Sequence, residues 1–155
     1  MNFIEKLIKT ILHPLKAKRL KYVMKELKSN IGEDVTDKLI LLLLEGMSLI
    51  FLFDRNFRRN IINFNGRYVF MDKSKKIYAG ALFKNQRMEV TDKTVSNPSI
   101  EIIFKDAKAL RNFLFSGNPD IINALLENEI NTKGNLNYIM KFGYLAKHIQ
   151  LAFIK

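Results

Sequence analysis

Few side chains in this sequence are suited to covalent or metal chemistry. Of 155 residues none is cysteine and two are histidine, His13 and His148. That excludes disulfides, thiolate metal ligands and a Cys nucleophile, and leaves little for zinc or a Ser-His-Asp arrangement. The local signatures G-x-S-x-G, G-x-x-x-x-G-K-[ST] and G-x-G-x-x-G are absent. His148 follows Lys147 in a predicted terminal helix and reads as a surface or packing histidine; Glu127 and Glu129 read as a solvated helix end. The expectation is a protein that is not an enzyme, with no catalytic residue, no cofactor and no metal.

Positive charge is what the chain does offer. Lys and Arg number 26 against 15 Asp and Glu, a formal net charge of +11, with a pI near 9.9. Such a balance favours an anionic partner, either nucleic acid or a lipid surface. Arginines interleave with aromatics in Arg55-Asn56-Phe57-Arg58-Arg59, Phe64 and Arg67-Tyr68, the crude footprint of an RNA-binding surface. The match stops there. Asn65-Gly66-Arg67-Tyr68-Val69-Phe70 lacks the residue order of an RNP1 signature, and no helix-turn-helix or zinc spacing appears. Phe64, Val69 and Phe70 read more simply as sheet core, so nucleic acid is the disfavoured partner.

The remaining basicity gathers in the first thirty residues, where Lys6, Lys9, Lys16, Lys18, Arg19, Lys21, Lys25 and Lys28 face only Glu5 and Glu26. There Phe3, Ile4, Leu7, Ile8, Ile11, Leu12 and Leu15 form one helical apolar stripe that Pro14 should bend or break. This composition suits an interfacial helix on an anionic membrane surface, with Lys6, Lys9, Lys16, Lys18, Arg19 and Lys21 as contacts. Docking of the same stripe onto its own domain or a partner is the other reading. Glu5, Lys6 and Lys9 interrupt any signal core. The longest apolar run, Leu39 to Phe53, contains Glu45, Gly46 and Ser48 and falls short of the roughly 18 residues of a spanning helix. The expected location is cytoplasmic, with any membrane contact peripheral and on the inner face.

Composition is globular, 48% hydrophobic and 26% charged, and the length fits one domain that buries about 70% of its unfolded surface. Ser29, Asn30 and Gly32 divide a basic helical extension, residues 1–32, from a domain of residues 33–155. Within it the pattern predicts a helix from Val35 to Glu45 and strands at Ser48–Phe53, Asn60–Met71, Lys76–Lys84, Met88–Thr91 and Ser99–Phe104. Helices follow at Ala107–Phe115, Asp120–Leu126 and Leu136–Phe153, with Ile130 to Gly134 as a link.

Three segments of the C-terminal half together resemble the sterol carrier protein 2 domain family. They are Asn97-Pro98-Ser99-Ile100-Glu101-Ile102-Ile103-Phe104-Lys105-Asp106, Phe113-Leu114-Phe115-Ser116-Gly117-Asn118-Pro119 and Ile130-Asn131-Thr132-Lys133-Gly134-Asn135-Leu136. That family shows an N/D-P-hydrophobic strand, a helix ending in a "leucine, any, Gly, any, Pro"-like element, and a G-x-[LI]-x-[IV]-x-G-[DN] turn before its final helix. Ser116-Gly117-Asn118-Pro119 is similar to the second element and Lys133-Gly134-Asn135-Leu136 to the end of the third, while Asn128 stands where that turn has its first glycine. The resemblance spans Leu39 to Phe153.

The resemblance implies an α+β fold, with a five-stranded mixed or antiparallel sheet covered by helices around an apolar tunnel. It also implies non-enzymatic binding of a fatty acyl, sterol-like or prenyl lipid, as a carrier or as an accessory protein of membrane-associated lipid metabolism. The implied lipid-binding residues are Phe113, Leu114, Leu125 and Leu126, then Leu136, Ile139, Met140, Phe142, Leu145 and Ile149 of the terminal helix. Ile139, Phe142, Leu145 and Ile149 recur at steps of three, three and four, which sets them on one helix face. The same side chains would also fill a closed core. A scaffold or interaction protein is therefore the competing reading, and a basic RNA-binding domain the third.

Overall fold

The computed structural model describes residues 36–115 and 120–154. The basic extension and the Ser116-Gly117-Asn118-Pro119 segment lie outside the described residues. In chain order the elements are α1 (Thr36–Phe53), α2 (Arg55–Arg58) with a 3-10 turn (Arg59–Ile61), β1 (Gly66–Asp72), β2 (Tyr78–Lys84), β3 (Arg87–Thr91) and β4 (Ile100–Phe104). They continue as α3 (Ala107–Phe115), α4 (Ile121–Leu126), β5 (Ile130–Gly134) and α5 (Leu136–Ile154).

The expected strand Ser48–Phe53 is instead the end of α1. Ile40, Leu44, Met47, Ile50 and Phe51 are buried, a helical period that runs through Gly46 and Ser48 without a break. The surrounding leucines hide that period in the sequence, and packing against β3 decides it. The Ser48 hydroxyl donates to the Met88 carbonyl of β3, which fixes the contact. Helix α1 stops at Asp54, whose carboxylate accepts the N–H groups of Asn56 (2.8 Å) and Phe57 (3.3 Å) and so starts α2.

The sheet order is β3-β2-β1-β4-β5. β1 and β4 are parallel, and the other neighbours are antiparallel. The mixed five-stranded sheet expected from the sequence is present, but its fifth strand is Ile130–Gly134 rather than Ser48–Phe53. Asn131, Lys133 and Gly134 have little strand propensity; pairing with β4 from Phe104↔Ile130 to Ile100↔Gly134 makes the strand. Alternation then sorts the faces. Tyr68, Phe70, Ala79, Ala81, Phe83, Ile100, Ile102 and Phe104 join the helices in one core. Arg67, Leu82, Glu89, Glu101 and Lys133 alternate with them on the opposite face.

The connection from β3 to β4 crosses that opposite face. A Cβ on Gly80 would lie 2.6 Å from Val95 Cγ2 and 2.8 Å from Thr91 Cγ2, so glycine lets the connection lie against the sheet. The Val95 N–H donates to Tyr78 Oη at 2.9 Å. At the β1–β2 turn, burial opposes the charge of Asp72, yet the Ser74 hydroxyl and the Ile77 and Ser74 N–H groups hold its carboxyl below the usual carboxylate range.

The β2–β3 hairpin turns on Asn85 (φ 52°) and Gln86 (φ 59°), between the paired Lys84 and Arg87. Two successive positive φ values define a turn that favours Asn-Gly. Replacing Gln86 by Gly is expected to raise stability by about 0.5–1 kcal/mol, read as a higher urea midpoint at unchanged m-value.

Candidate functional site

The helical face of the sheet carries an aromatic cluster. Tyr68 is fully buried. Its ring lies 5.5 Å from Phe83, 5.6 Å from Phe142 and 5.8 Å from Tyr138. Phe142 also lies 4.9 Å from Phe70, and Phe64 bridges Phe83 (5.3 Å) and Tyr138 (6.0 Å). The Tyr68 hydroxyl donates to the Tyr138 carbonyl at 2.9 Å, satisfying one polar group at the start of α5.

Burial, with Tyr138 adding, pushes the Tyr68 phenol well above the ordinary range, so the folded protein holds it neutral. The neutral preference contributes stability that is full below the unfolded phenol pKa of about 10 and declines as pH rises beyond it. Tyr68→Phe is expected to cost about 1 kcal/mol at neutral pH through the lost hydrogen bond, and to flatten the stability loss above pH 10 in urea titrations.

Helix α5 divides the expected site residues by face. Ile139, Phe142 and Leu145 are buried in the core. Leu136 and Met140 are about half exposed, with Tyr144 continuing their four-residue spacing. Of the preceding helices, Phe113 is half-buried with its ring 5.6 Å from Phe104, Leu125 is half-buried against the core, and Leu126 is 75% exposed. Leu114 and Ile149 fall within α3 and α5, and their side chains lie outside what is described. Gly143 permits a close approach of α4 to α5, because a Cβ there would lie 2.3 Å from Ile121 Cδ1.

The same core takes Tyr68, Phe70, Phe83, Ile102 and Phe104 from the sheet and Ile40, Leu44, Ile50 and Phe51 from α1. None of these was among the expected site residues. Period-two alternation through Tyr68-Phe70, Ala79-Ala81-Phe83 and Ile100-Ile102-Phe104 was the available signal for the sheet contribution.

Among the described residues, two open clefts border this core. One of about 950 Å³ on the opposite face of the sheet is lined by Arg67, Leu82, Lys84, Glu89, Thr94 and Ser96, among others. Arg67 Nη1 there donates to the Ser96 carbonyl at 3.0 Å. The other, about 340 Å³, lies between α4 and α5 and is lined mainly by Ile121, Ile122, Met140, Gly143 and Tyr144. Among the described residues no group of three His, Cys, Asp or Glu side chains is placed to hold a metal ion, and no helix is long and apolar enough to cross a membrane.

By sequence, neither a family profile nor a curated protein matches the chain. Solved structures do. The sterol carrier protein domain 2 of Helicoverpa armigera is similar at TM-score 0.56 and 18% identity, over 79% of this chain and 94% of that one. The UbiJ-SCP2 ubiquinone synthesis protein is similar at TM-score 0.55 and 14% identity, over 74% of this chain and 93% of its own. A stereoselective inverting sec-alkylsulfatase, Pisa1 from Pseudomonas sp., is similar at TM-score 0.53 and 8% identity over 68% of this chain, using 15% of the sulfatase. The described residues therefore form an α+β domain with helices packed on a mixed five-stranded sheet. More narrowly, its fold is that of the sterol carrier protein 2 domain.

Proposed function

We propose that the chain binds a long apolar lipid, fatty acyl, sterol-like or prenyl, between its sheet and its helices. It does so without catalysing a reaction, as a cytoplasmic carrier or as an accessory protein that presents the lipid to membrane-associated enzymes. One observation carries this reading: the fold is shared with sterol carrier protein 2 domains over nearly their whole length, one of them in a protein named for ubiquinone synthesis. Binding of this kind needs a continuous apolar lining and no acid, base or nucleophile. Burying ten methylenes contributes on the order of 8 kcal/mol before ordering costs, so shape and apolarity suffice.

In this reading Ile139, Phe142 and Leu145 form the α5 wall, extended by Ile149, with Phe113, Leu114 and Leu125 beside it. The exposed Leu126, Leu136 and Met140 are assigned to the rim. The basic residues Lys6, Lys9, Lys16, Lys18, Arg19 and Lys21 bring the carrier to an anionic membrane surface.

The test is native mass spectrometry and solvent extraction of the purified full chain, followed by titration of the delipidated protein with a fluorescent fatty acid. A co-purified lipid and saturable uptake are expected. A preparation that carries no lipid and takes up neither fatty acid, sterol nor polyprenol rejects the reading in favour of a closed-core interaction protein. Co-purified nucleic acid without lipid supports the RNA-binding alternative.

A further inference from the structure

The junction between α1 and β1 presents arginines beside exposed apolar side chains. Arg55 and Arg59 are exposed and Arg58 is half-buried, while Leu52, Phe53 and Ile62 are 38%, 41% and 48% exposed. From Gly46 to Met71 the only acidic residue is Asp54, and its carboxylate is engaged in capping α2. The backbone holds the group together: Arg58 Nη1 donates to the Leu52 carbonyl at 3.4 Å, and the buried Ile61 anchors the turn that turns Ile62 outward.

We propose that this corner, Leu52, Arg55, Arg58, Arg59 and Ile62, is a docking surface for an anionic lipid bilayer. It goes beyond the carrier reading and does not rest on it, since the charge pattern is the same whether or not the core holds lipid. Guanidinium groups match phosphate geometry and remain charged at any physiological pH. Leucine and isoleucine between them gain by entering the headgroup boundary, as on interfacial helices. The other occupants fit less well. A second copy of the chain would set three arginines against three, and the basic segment of residues 1–30 would be repelled in the same way. A single-stranded RNA would need aromatic faces for stacking. Here Phe53 offers a single exposed ring, too few for the successive bases of a strand, while the aromatics interleaved with the arginines turn inward: Phe57 packs on the core, and Phe64 sits among Tyr68, Phe83 and Tyr138.

The experiment is flotation of the full chain with phosphatidylserine/phosphatidylcholine vesicles and with phosphatidylcholine vesicles at low salt. Arg55→Ser/Arg58→Ser/Arg59→Ser is expected to lower partitioning onto the anionic vesicles by about a hundredfold. Leu52→Ser/Ile62→Ser should lower it at high salt as well, and the triple Arg→Lys variant should stay within a few-fold of the parent. The control, Lys73→Ser/Lys76→Ser/Lys108→Ser, removes equal charge from residues gathered at the opposite end of β1, where the Lys73 N–H meets the Phe104 carbonyl just before α3. It should change partitioning by only a few-fold.

Circular dichroism and fatty acid uptake, measured on every variant, separate loss of docking from loss of fold and of core binding. Unchanged flotation of the triple Arg→Ser variant, or an equal loss in the lysine control, overturns the proposal. So does loss of single-stranded RNA binding with flotation intact, or a dimer in sedimentation that the triple variant dissolves.

Discussion

Gly134→Ala is expected to destabilise the domain by about 3–5 kcal/mol, and Gly46→Ala to stabilise it by about 0.5–1 kcal/mol. Gly134 has φ +113°, a region that side chains disfavour, and a Cβ there would lie 2.4 Å from the Ser99 carbonyl oxygen and 3.1 Å from Ile100 Cα. Both neighbours are backbone, so no side-chain rotation relieves the clash. That backbone is also tied down. The Asn135 N–H donates to the Ser99 carbonyl (3.3 Å), the Ser99 N–H to the Arg67 carbonyl (2.8 Å), and the Arg67 N–H to Ser99 Oγ (3.0 Å). Moving Gly134 away would therefore disturb β5, β4 and β1 together. Gly46, by contrast, lies in α1, and a Cβ added there would meet nothing within 4 Å, so alanine gains helix propensity without a clash. Urea unfolding of the two variants measures both signs. A Gly134→Ala protein within about 1 kcal/mol of the parent would refute the steric account.

That joint also explains why the C-terminal motifs were legible. Two of the segments that resemble the sterol carrier protein 2 family, Asn97 to Asp106 and Ile130 to Leu136, are neighbours in the sheet, and they meet at Ser99, Ile100 and Gly134, where the backbone leaves no room for a side chain on Gly134. The departure at Asn128 has a physical reason as well. Its φ is +56°, a left-handed conformation in which asparagine is the side chain that best replaces glycine. The helix Ala107–Phe115 followed from its periodicity, the helix Ile121–Leu126 from the turn-forming residues that precede it in the sequence, and the α+β class from the resemblance.

What periodicity missed was decided by tertiary contact. Helix α1 is apolar around most of its circumference, so its period was concealed until β3 covered one side. Strand β5 is polar apart from Ile130 and exists because β4 offers it an edge. Along α5 the spacing of Ile139, Phe142 and Leu145 marked the buried face, whereas Leu136 and Met140, expected in the same lining, are about half exposed. The sheet residues packed in the same core were not identified, because Tyr68, Phe70 and Phe83 lie far from α5 in sequence and join that core only through the sheet register.

Phe142 decides between a lining and a closed core. It is 2% exposed, on the inner face of α5, against Phe70 and Tyr68. Truncation to Ala removes the ring and leaves a cavity, for which about 3–5 kcal/mol of lost stability is expected, while Trp overfills the space at about 1–3 kcal/mol. Stability alone does not separate the two readings, because a ring that lines a tunnel and a ring that fills a core are both packed. Ligand uptake does. If Phe142 borders the lipid, Phe142→Trp weakens binding of a fluorescent fatty acid roughly tenfold, as loss of one or two methylenes of burial would. Phe142→Ala, where it remains folded, binds as well as the parent or accepts a longer chain. Should Phe142→Trp lose stability while its fatty acid affinity stays equal to the parent's, Phe142 is ordinary core and the lipid lies elsewhere against the sheet.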